Sequence, residues 1–280
     1  MLKIDSHQHF WNYDPVKHSW INEDMAVIRK DFLPLELASV LAENEVNGCV
    51  AVQAEHTEEE NNFLLQQAAD YDFIKGVVGW VDLQSPSVEQ RLEHYSQFPE
   101  FKGIRHILQG EKQRDLMLQP DFVRGIGALQ KFNMTYDLLI FPDQLPFAIK
   151  LVSMFPGINF VLNHMAKPAI KHQEIDKWKT DIALIAHHEN VYCKISGLVT
   201  EAAASWKPSD FNPYIDAVVS VFGIKRIMFG SDWPVCLTAA SYEQAIRIVD
   251  DYFNNFSMSE KQLFFGVNAS NFYRLTSDFS

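Results

Sequence analysis

The chain of 280 residues has little cysteine: three residues, Cys49, Cys193 and Cys236, far apart and odd in number. No CxxC or CxxxC spacing occurs, so neither a zinc knuckle nor a disulfide framework is indicated. No apolar run reaches the roughly 18 residues that a membrane helix needs. The first residues, MLKIDSHQHF, lack the basic segment and long apolar stretch of a signal peptide. A reducing cytoplasm is therefore the expected location. Two Asn-x-Ser matches, at 255–257 and 268–270, are then expected to be coincidental. Positive charge is also scarce. Lys and Arg total 24 against 36 Asp and Glu, a net charge of −12. Such a surface repels phosphate backbones, which argues against nucleic acid but leaves a small ligand open. No GxGxxG or GxxxxGK[ST] loop is present, so the usual nucleotide-binding signals are missing. There is no low-complexity tract and no linker-like stretch.

Hydrophobic residues are plentiful at 47%, with 21 Phe, 9 Tyr and 6 Trp. They excludе a disordered or fibrous chain and can fill one large core. Short apolar runs recur at 2–5, 48–53, 74–82, 103–107, 134–140, 159–163, 190–195 and 226–229. They lie about 32 residues apart, the length of a βα unit. They are nearly continuous rather than alternating, as in parallel strands covered on both faces. Helical periodicity fills the intervals 35–45, 58–70, 122–131, 145–154, 178–188, 213–221 and 242–253. The pattern predicts a single (β/α)8 TIM barrel spanning residues 1–280. An open doubly wound sheet is the alternative. The long excursion at 15–30, after the first strand, is placed to cover the barrel mouth.

In such a barrel the chemistry belongs to residues at the C-terminal ends of strands. Those ends carry His7, Gln8 and His9; Gln53 and His56; Asp82; Arg105 and His106; Asp137; His164 and Lys167; Lys194 and Ser196; Ser231 and Asp232. His7 and His9 lie two apart on an extended chain, so both imidazoles can reach one metal ion or one carbonyl. Strands one and eight adjoin in a closed barrel, which brings Asp232 to them. Arg105 can fork onto a ligand's carboxylate or hydroxyls, or form an ion pair with Asp82 or Asp137. One of Cys193 and Lys194 must face the lumen; an inward lysine would need a use or a partner. Asp137 either accepts sugar hydroxyls or pairs with Arg105. Gln53 is a further candidate for binding. Trp11, Trp20, Trp80, Trp206 and Trp233 follow strand ends, where aromatic faces stack on sugar C–H surfaces or simply fill the mouth. Trp11, Trp80 and Trp233 are taken as binding candidates. Asp24, Glu55, Glu58 and Glu59 read as solvated acidic surface.

The phrases Asp5-Ser-His-Gln-His-Phe-Trp11 and Gly230-Ser-Asp-Trp-Pro234 resemble the amidohydrolase superfamily. They are joined by Val52-Gln-Ala54, Gly76-Val-Val-Gly-Trp-Val-Asp-Leu83 and Lys102-Gly-Ile-Arg-His106. Tyr136-Asp-Leu-Leu139, Asn163-His-Met-Ala-Lys-Pro168 and Lys194-Ile-Ser-Gly-Leu-Val-Thr-Glu201 continue the likeness, from about Lys3 to Leu275. The likeness is to the amidohydrolase 2 type, and within it to the sugar-lactonase branch typified by the L-fuconolactonases. It implies Asp232 as general base, with His7, His9 and His164 lining the reacting carbonyl. It also implies His7, His9 and Asp232 as the ligands of any metal. Metal-dependent relatives add a histidine at the end of strand five, where this chain has Thr135-Tyr136-Asp137. The expectation is that no cofactor is required and that a zinc ion binds weakly. The expected reaction is opening of a neutral sugar-acid lactone to the aldonate. Hydrolysis of an anionic dicarboxylate-type lactone would call for more arginines. Metal-dependent decarboxylation or deamination, and a barrel that binds a sugar acid without turnover, are the other readings. The expected partner is a small molecule, with neither membrane nor nucleic acid. Self-association is compatible with the sequence but not read from it.

Overall fold

The computed structural model describes residues 1–276, so positions 277–280 of the expected 1–280 domain lie outside the described residues. Eight parallel strands run in sequence order: β1 (Ile4–Gln8), β2 (Gly48–Val52), β3 (Ile74–Gly79), β4 (Phe101–Ile107), β5 (Thr135–Leu139), β6 (Phe160–Leu162), β7 (Val191–Ile195) and β8 (Ile227–Phe229). Seven ladders join neighbours from β1 to β8. The seam between β1 and β8 closes just beyond the strands. Trp233 O accepts from His9 N at 2.7 Å, and His7 O accepts from Asp232 N at 2.8 Å. The expected (β/α)8 barrel is the observed one, and the residues that close it are those singled out for chemistry.

The helices between strands are α1 (Pro34–Glu43), α2 (Glu58–Asp70), α3 (Val88–Tyr95), α4 (Pro120–Leu129), α5 (Leu145–Met154), α6 (Asp176–Ala186) and α7 (Asn212–Phe222). After β8 come α8 (Tyr242–Tyr252), α9 (Met258–Gln262) and α10 (Asn268–Tyr273). Proline opens α1 and α4, where its missing N–H costs nothing. Thr57 caps α2, and Ser241 with Gln244 forms a capping box on α8. Helix α3 has no counterpart in the sequence-based assignment. It is eight residues long and mostly polar, with Val88, Leu92 and Tyr95 as its buried residues. The run at 74–82 also leaves the sheet earlier than expected, at Gly79.

Side chains alternate across each strand. Cys49, Ala51, Ile104, Tyr136, Leu138, Cys193 and Ile195 pack outward in the main core with the helices. Ile4, Val50, Val52, Val78, Val161 and Met228 form a separate inner cluster with Phe272, Tyr273 and Leu275. Helix α10 thus plugs the barrel floor, where Lys102, near the start of β4, donates to Arg274 O at 3.1 Å. The same alternation decides the β7 ambiguity: Cys193 faces the helices and Lys194 the lumen. The lower lumen is apolar and its upper half polar.

Candidate active site

Asp232 stands in a left-handed backbone conformation, φ 61°, just after β8. The preceding turn is anchored by Asp5, whose carboxylate accepts from Ser231 N at 2.9 Å, Ser231 Oγ at 2.6 Å and Tyr242 OH at 3.1 Å. Asp5 Oδ1 also accepts from His7 N at 3.1 Å, so one buried carboxyl sets both the β1 end and the turn that carries Asp232. Burial pushes Asp5 up to about 6, against those hydrogen bonds.

Three imidazole Nε2 atoms surround one oxygen, Asp232 Oδ1: His9 at 3.3 Å, His7 at 3.7 Å and His164 at 3.7 Å. The rings of His7 and His164 lie 4.4 Å apart between centroids. Two glycines make room for them. A Cβ on Gly230 would come within 2.7 Å of His7 Cβ, and one on Gly197 within 2.6 Å of His164 Nδ1. Burial favours the neutral carboxyl of Asp232, but the charge that His164 and His9 take up in acid, with that of Lys167, outweighs it and holds the group at about 2. Burial keeps the imidazoles neutral: His7 and His9 are lowered, and His164 is pushed down to about 3. The site at neutral pH is an ionised carboxylate ringed by neutral imidazoles.

His9 shows why this arrangement suits a cation. Its Nδ1 lies 2.7 Å from Val52 O, which can only accept, so Nδ1 carries the proton. The lone pair of the neutral ring is then on Nε2, facing an Asp232 oxygen that is itself an acceptor. Two acceptors in contact are satisfied by a metal ion or proton between them. His7, His9 and Asp232 offer ligand atoms within 4.8 Å of one another, a set that fits zinc with an open position. The end of β5 adds no histidine, as the sequence indicates. His56, His106 and Glu111 are equally close. There, however, Ile107 N donates to His56 Nε2 at 2.8 Å and Trp80 Nε1 to His106 Nδ1 at 3.2 Å. With His106 Nε2 at 2.9 Å from Glu111, that trio is held by hydrogen bonds instead.

Arg105 differs from both partner expectations. It pairs with neither Asp82 nor Asp137. Gln53 takes its Nε at 3.1 Å and Nη2 at 2.9 Å on the side-chain carbonyl, and the Gln53 backbone carbonyl accepts from Nη2 as well. Gln53 thereby positions the guanidinium rather than lining the cavity. Arg105 Nη1 lies 3.3 Å from His7 Nε2. Burial lowers Arg105 to about 10, so it stays cationic at neutral pH. Asp137 pairs instead with Lys194, at 2.7 Å, and accepts from Tyr273 OH and Asn163 Nδ2 at 2.9 Å. Lys194 and Asp137 are fully buried beneath the site.

The cavity above encloses about 460 Å³. His9, Arg105, His164 and Asp232 line it together. Ile107, Leu139 and Val235 give an apolar wall, and Lys167, Thr200 and Glu201 a polar one. Trp20 and Met25, from the excursion at 15–30, contribute to the lining. The three tryptophans taken as binding candidates lie elsewhere. Trp11 donates to Lys30 O at 2.9 Å, Trp80 to His106, and Trp233 is 1% exposed against Phe10 and Phe32. Each indole already has a structural task. Sequence reasoning missed Glu201 and Thr200. They lie several residues beyond β7, and a strand-end search stops before them.

The amidohydrolase sequence profile matches residues 4–275. An L-fucono-1,5-lactonase of Burkholderia multivorans is 36% identical, covering 98% of this chain and 96% of that protein. A second L-fucono-1,5-lactonase, of Burkholderia ambifaria, is 33% identical over the same shares. A crystal structure of an amidohydrolase from Burkholderia multivorans with bound Zn superposes with a TM-score of 0.95 at 36% identity, covering 99% of this chain and all of that one. The barrel, the histidines and aspartate at its C-terminal end, and these likenesses along the full length agree: the chain belongs to the amidohydrolase family.

Proposed function

We propose that this protein hydrolyses a neutral sugar-acid lactone to its open aldonate, with an L-fucono-1,5-lactone as the first substrate to test. The observation that carries the reading is the convergence of His7, His9 and His164 on one oxygen of Asp232, beside a cavity that His9, His164 and Asp232 themselves line. Full-length likeness to two L-fucono-1,5-lactonases supports it.

Asp232 is the general base. Its carboxylate accepts a proton from water as the water oxygen attacks the acyl carbon. Holding the group at about 2 keeps it ionised at neutral pH, at some cost in basicity. The carbonyl oxygen gains negative charge in the tetrahedral intermediate. Arg105, already oriented by Gln53 and lining the cavity, is placed to donate to it. The acyl carbon then loses its bond to the ring oxygen, which leaves with the proton held on Asp232. A zinc ion held by His7, His9 and Asp232 would supply Lewis acidity at the same carbonyl. The set lacks a fourth protein ligand, and a lactone is more reactive than an amide. We therefore take the metal as weakly bound and dispensable.

The cation supply favours a neutral ligand over a dicarboxylate. Among the described residues, Arg105 and Lys167 are the cationic side chains lining the cavity, and both already have protein partners. The apolar wall of Ile107, Leu139 and Val235 suits a sugar ring bearing a methyl group. Among the described residues no helix is long and apolar enough to cross a membrane; a cytoplasmic place and a single domain over 1–280 belong to this proposal. The test is a pH-indicator screen of sugar lactones with the purified protein. Hydrolysis of a 1,5-aldonolactone supports the reading. Binding without turnover would favour a sugar-acid-binding barrel.

A further inference from the structure

Four consecutive non-glycine residues, His164, Met165, Ala166 and Lys167, have φ of 52°, 54°, 57° and 49°. Left-handed backbone is unfavourable for an L-residue, because Cβ crowds the neighbouring carbonyl, and a run of four is held only where its surroundings enforce it. Here Met165 O accepts from Trp178 Nε1 at 2.7 Å, and His164 O from Lys167 N at 2.8 Å. The turn sends two side chains into the same cavity. His164 goes to Asp232, and Lys167, three residues on, goes to Glu201.

Lys167 Nζ meets Glu201 Oε1 at 2.8 Å, and both side chains are mostly buried, at 15% and 20% exposure. A fully exposed pair would contribute little to stability and would not need a strained turn to place it; this one is largely buried at the cavity wall. Glu201 arrives from a different segment, the short turn Val199–Glu201 after β7. An ammonium has three donors and a carboxylate two oxygens. Among the described residues the pair uses one donor and one oxygen on each other, and no further hydrogen bond to the protein occupies the rest. The wall therefore offers a donor and an acceptor side by side.

We propose that Lys167 and Glu201 together read two neighbouring hydroxyls of the substrate. One hydroxyl oxygen accepts from the Lys167 ammonium, and the next hydroxyl donates to the free Glu201 oxygen. They are specificity-determining residues for polyhydroxylated lactones, and this inference rests on the lactonase reading. A site that hydrogen-bonds hydroxyls rejects an analogue lacking them, because its buried polar groups would lose water without gaining partners.

The experiment compares kcat/KM for a 1,5-aldonolactone and for unsubstituted δ-valerolactone. It uses the full chain as wild type, Lys167→Met, Glu201→Gln and the double variant, with thermal melting to confirm folding. Each single variant is expected to lower the preference for the hydroxylated lactone at least tenfold, chiefly through KM, and the double variant to be little worse than either single. A preference unchanged within about threefold, or a parallel fall on both substrates, overturns the proposal. Should the wild type open neither lactone, the lactonase reading fails separately. Calorimetric binding of the open aldonate to the same proteins then decides the clamp. A tenfold loss of affinity in both single variants supports it, and unchanged affinity, or no binding by the wild type, overturns it.

Discussion

Lys194 Nζ lies 2.7 Å from Asp137 Oδ2, with neither side chain exposed to solvent. Tyr273 OH, from the helix that plugs the barrel floor, donates to the same carboxylate, and Lys194 reaches to 3.2 Å from His7 Nδ1. The ion pair thus ties the apolar floor to the reactive end of the lumen. Removing one charge strands the other. Lys194→Met is expected to cost about 3–5 kcal/mol of stability. Lys194→Met with Asp137→Asn, which removes the orphaned charge, should recover part of that loss. Denaturant unfolding of the three proteins checks this. A single variant as stable as wild type would show that the pair is not needed for folding.

Asp232→Asn keeps the shape of the side chain and removes its basicity. Turnover of the lactone is expected to fall by about 10²- to 10⁴-fold or more, with the melting temperature little changed. Steady-state kinetics with circular dichroism on the same sample decides it. Near wild-type kcat would exclude Asp232 as the base.

Exhaustive chelation is expected to leave most of the lactonase activity in place. Elemental analysis of the same sample fixes the residual metal. Activity that vanishes on chelation and returns with one equivalent of zinc would make His7, His9 and Asp232 obligatory metal ligands.

His56 supplies a pH-dependent contribution to stability. Burial, then the neighbouring His106, lowers it to about 3, and its Nε2 accepts from Ile107 N. In the unfolded chain a histidine takes up a proton near 6.5. Between about 6.5 and 3 the unfolded state therefore binds the proton and the folded state does not, so stability falls as pH falls through that window. Melting temperatures measured from pH 7 down to pH 5 should decline for the wild type. His56→Gln, which has nothing to titrate, should decline less steeply. Equal slopes would remove His56 from the account.

The barrel was legible because its causes are local. Eight near-continuous apolar runs at βα spacing can bury both faces only in a parallel sheet under helices, and that arrangement places His7, His9 and Asp232 near one another. Helix α3 escaped because eight mostly polar residues carry little periodicity. Partners were less legible than positions. Arg105 was placed at a strand end, but its bond to Gln53 rather than Asp137 depends on side-chain reach across the lumen.

The sequence by itself determined the order of the eight strands, the barrel and the identity of the groups at its C-terminal end, since each follows from periodicity and from residue type at strand ends. Tertiary structure alone decided that Lys194 rather than Cys193 faces inward, and that the three tryptophans serve other contacts while Trp20 enters the cavity wall. It alone brought Lys167 and Glu201 together across the mouth. Each of these outcomes depends on the phase of a strand in the closed barrel or on a loop's path back to it. Both are set by contacts between segments far apart in the chain, which no local pattern of residues encodes.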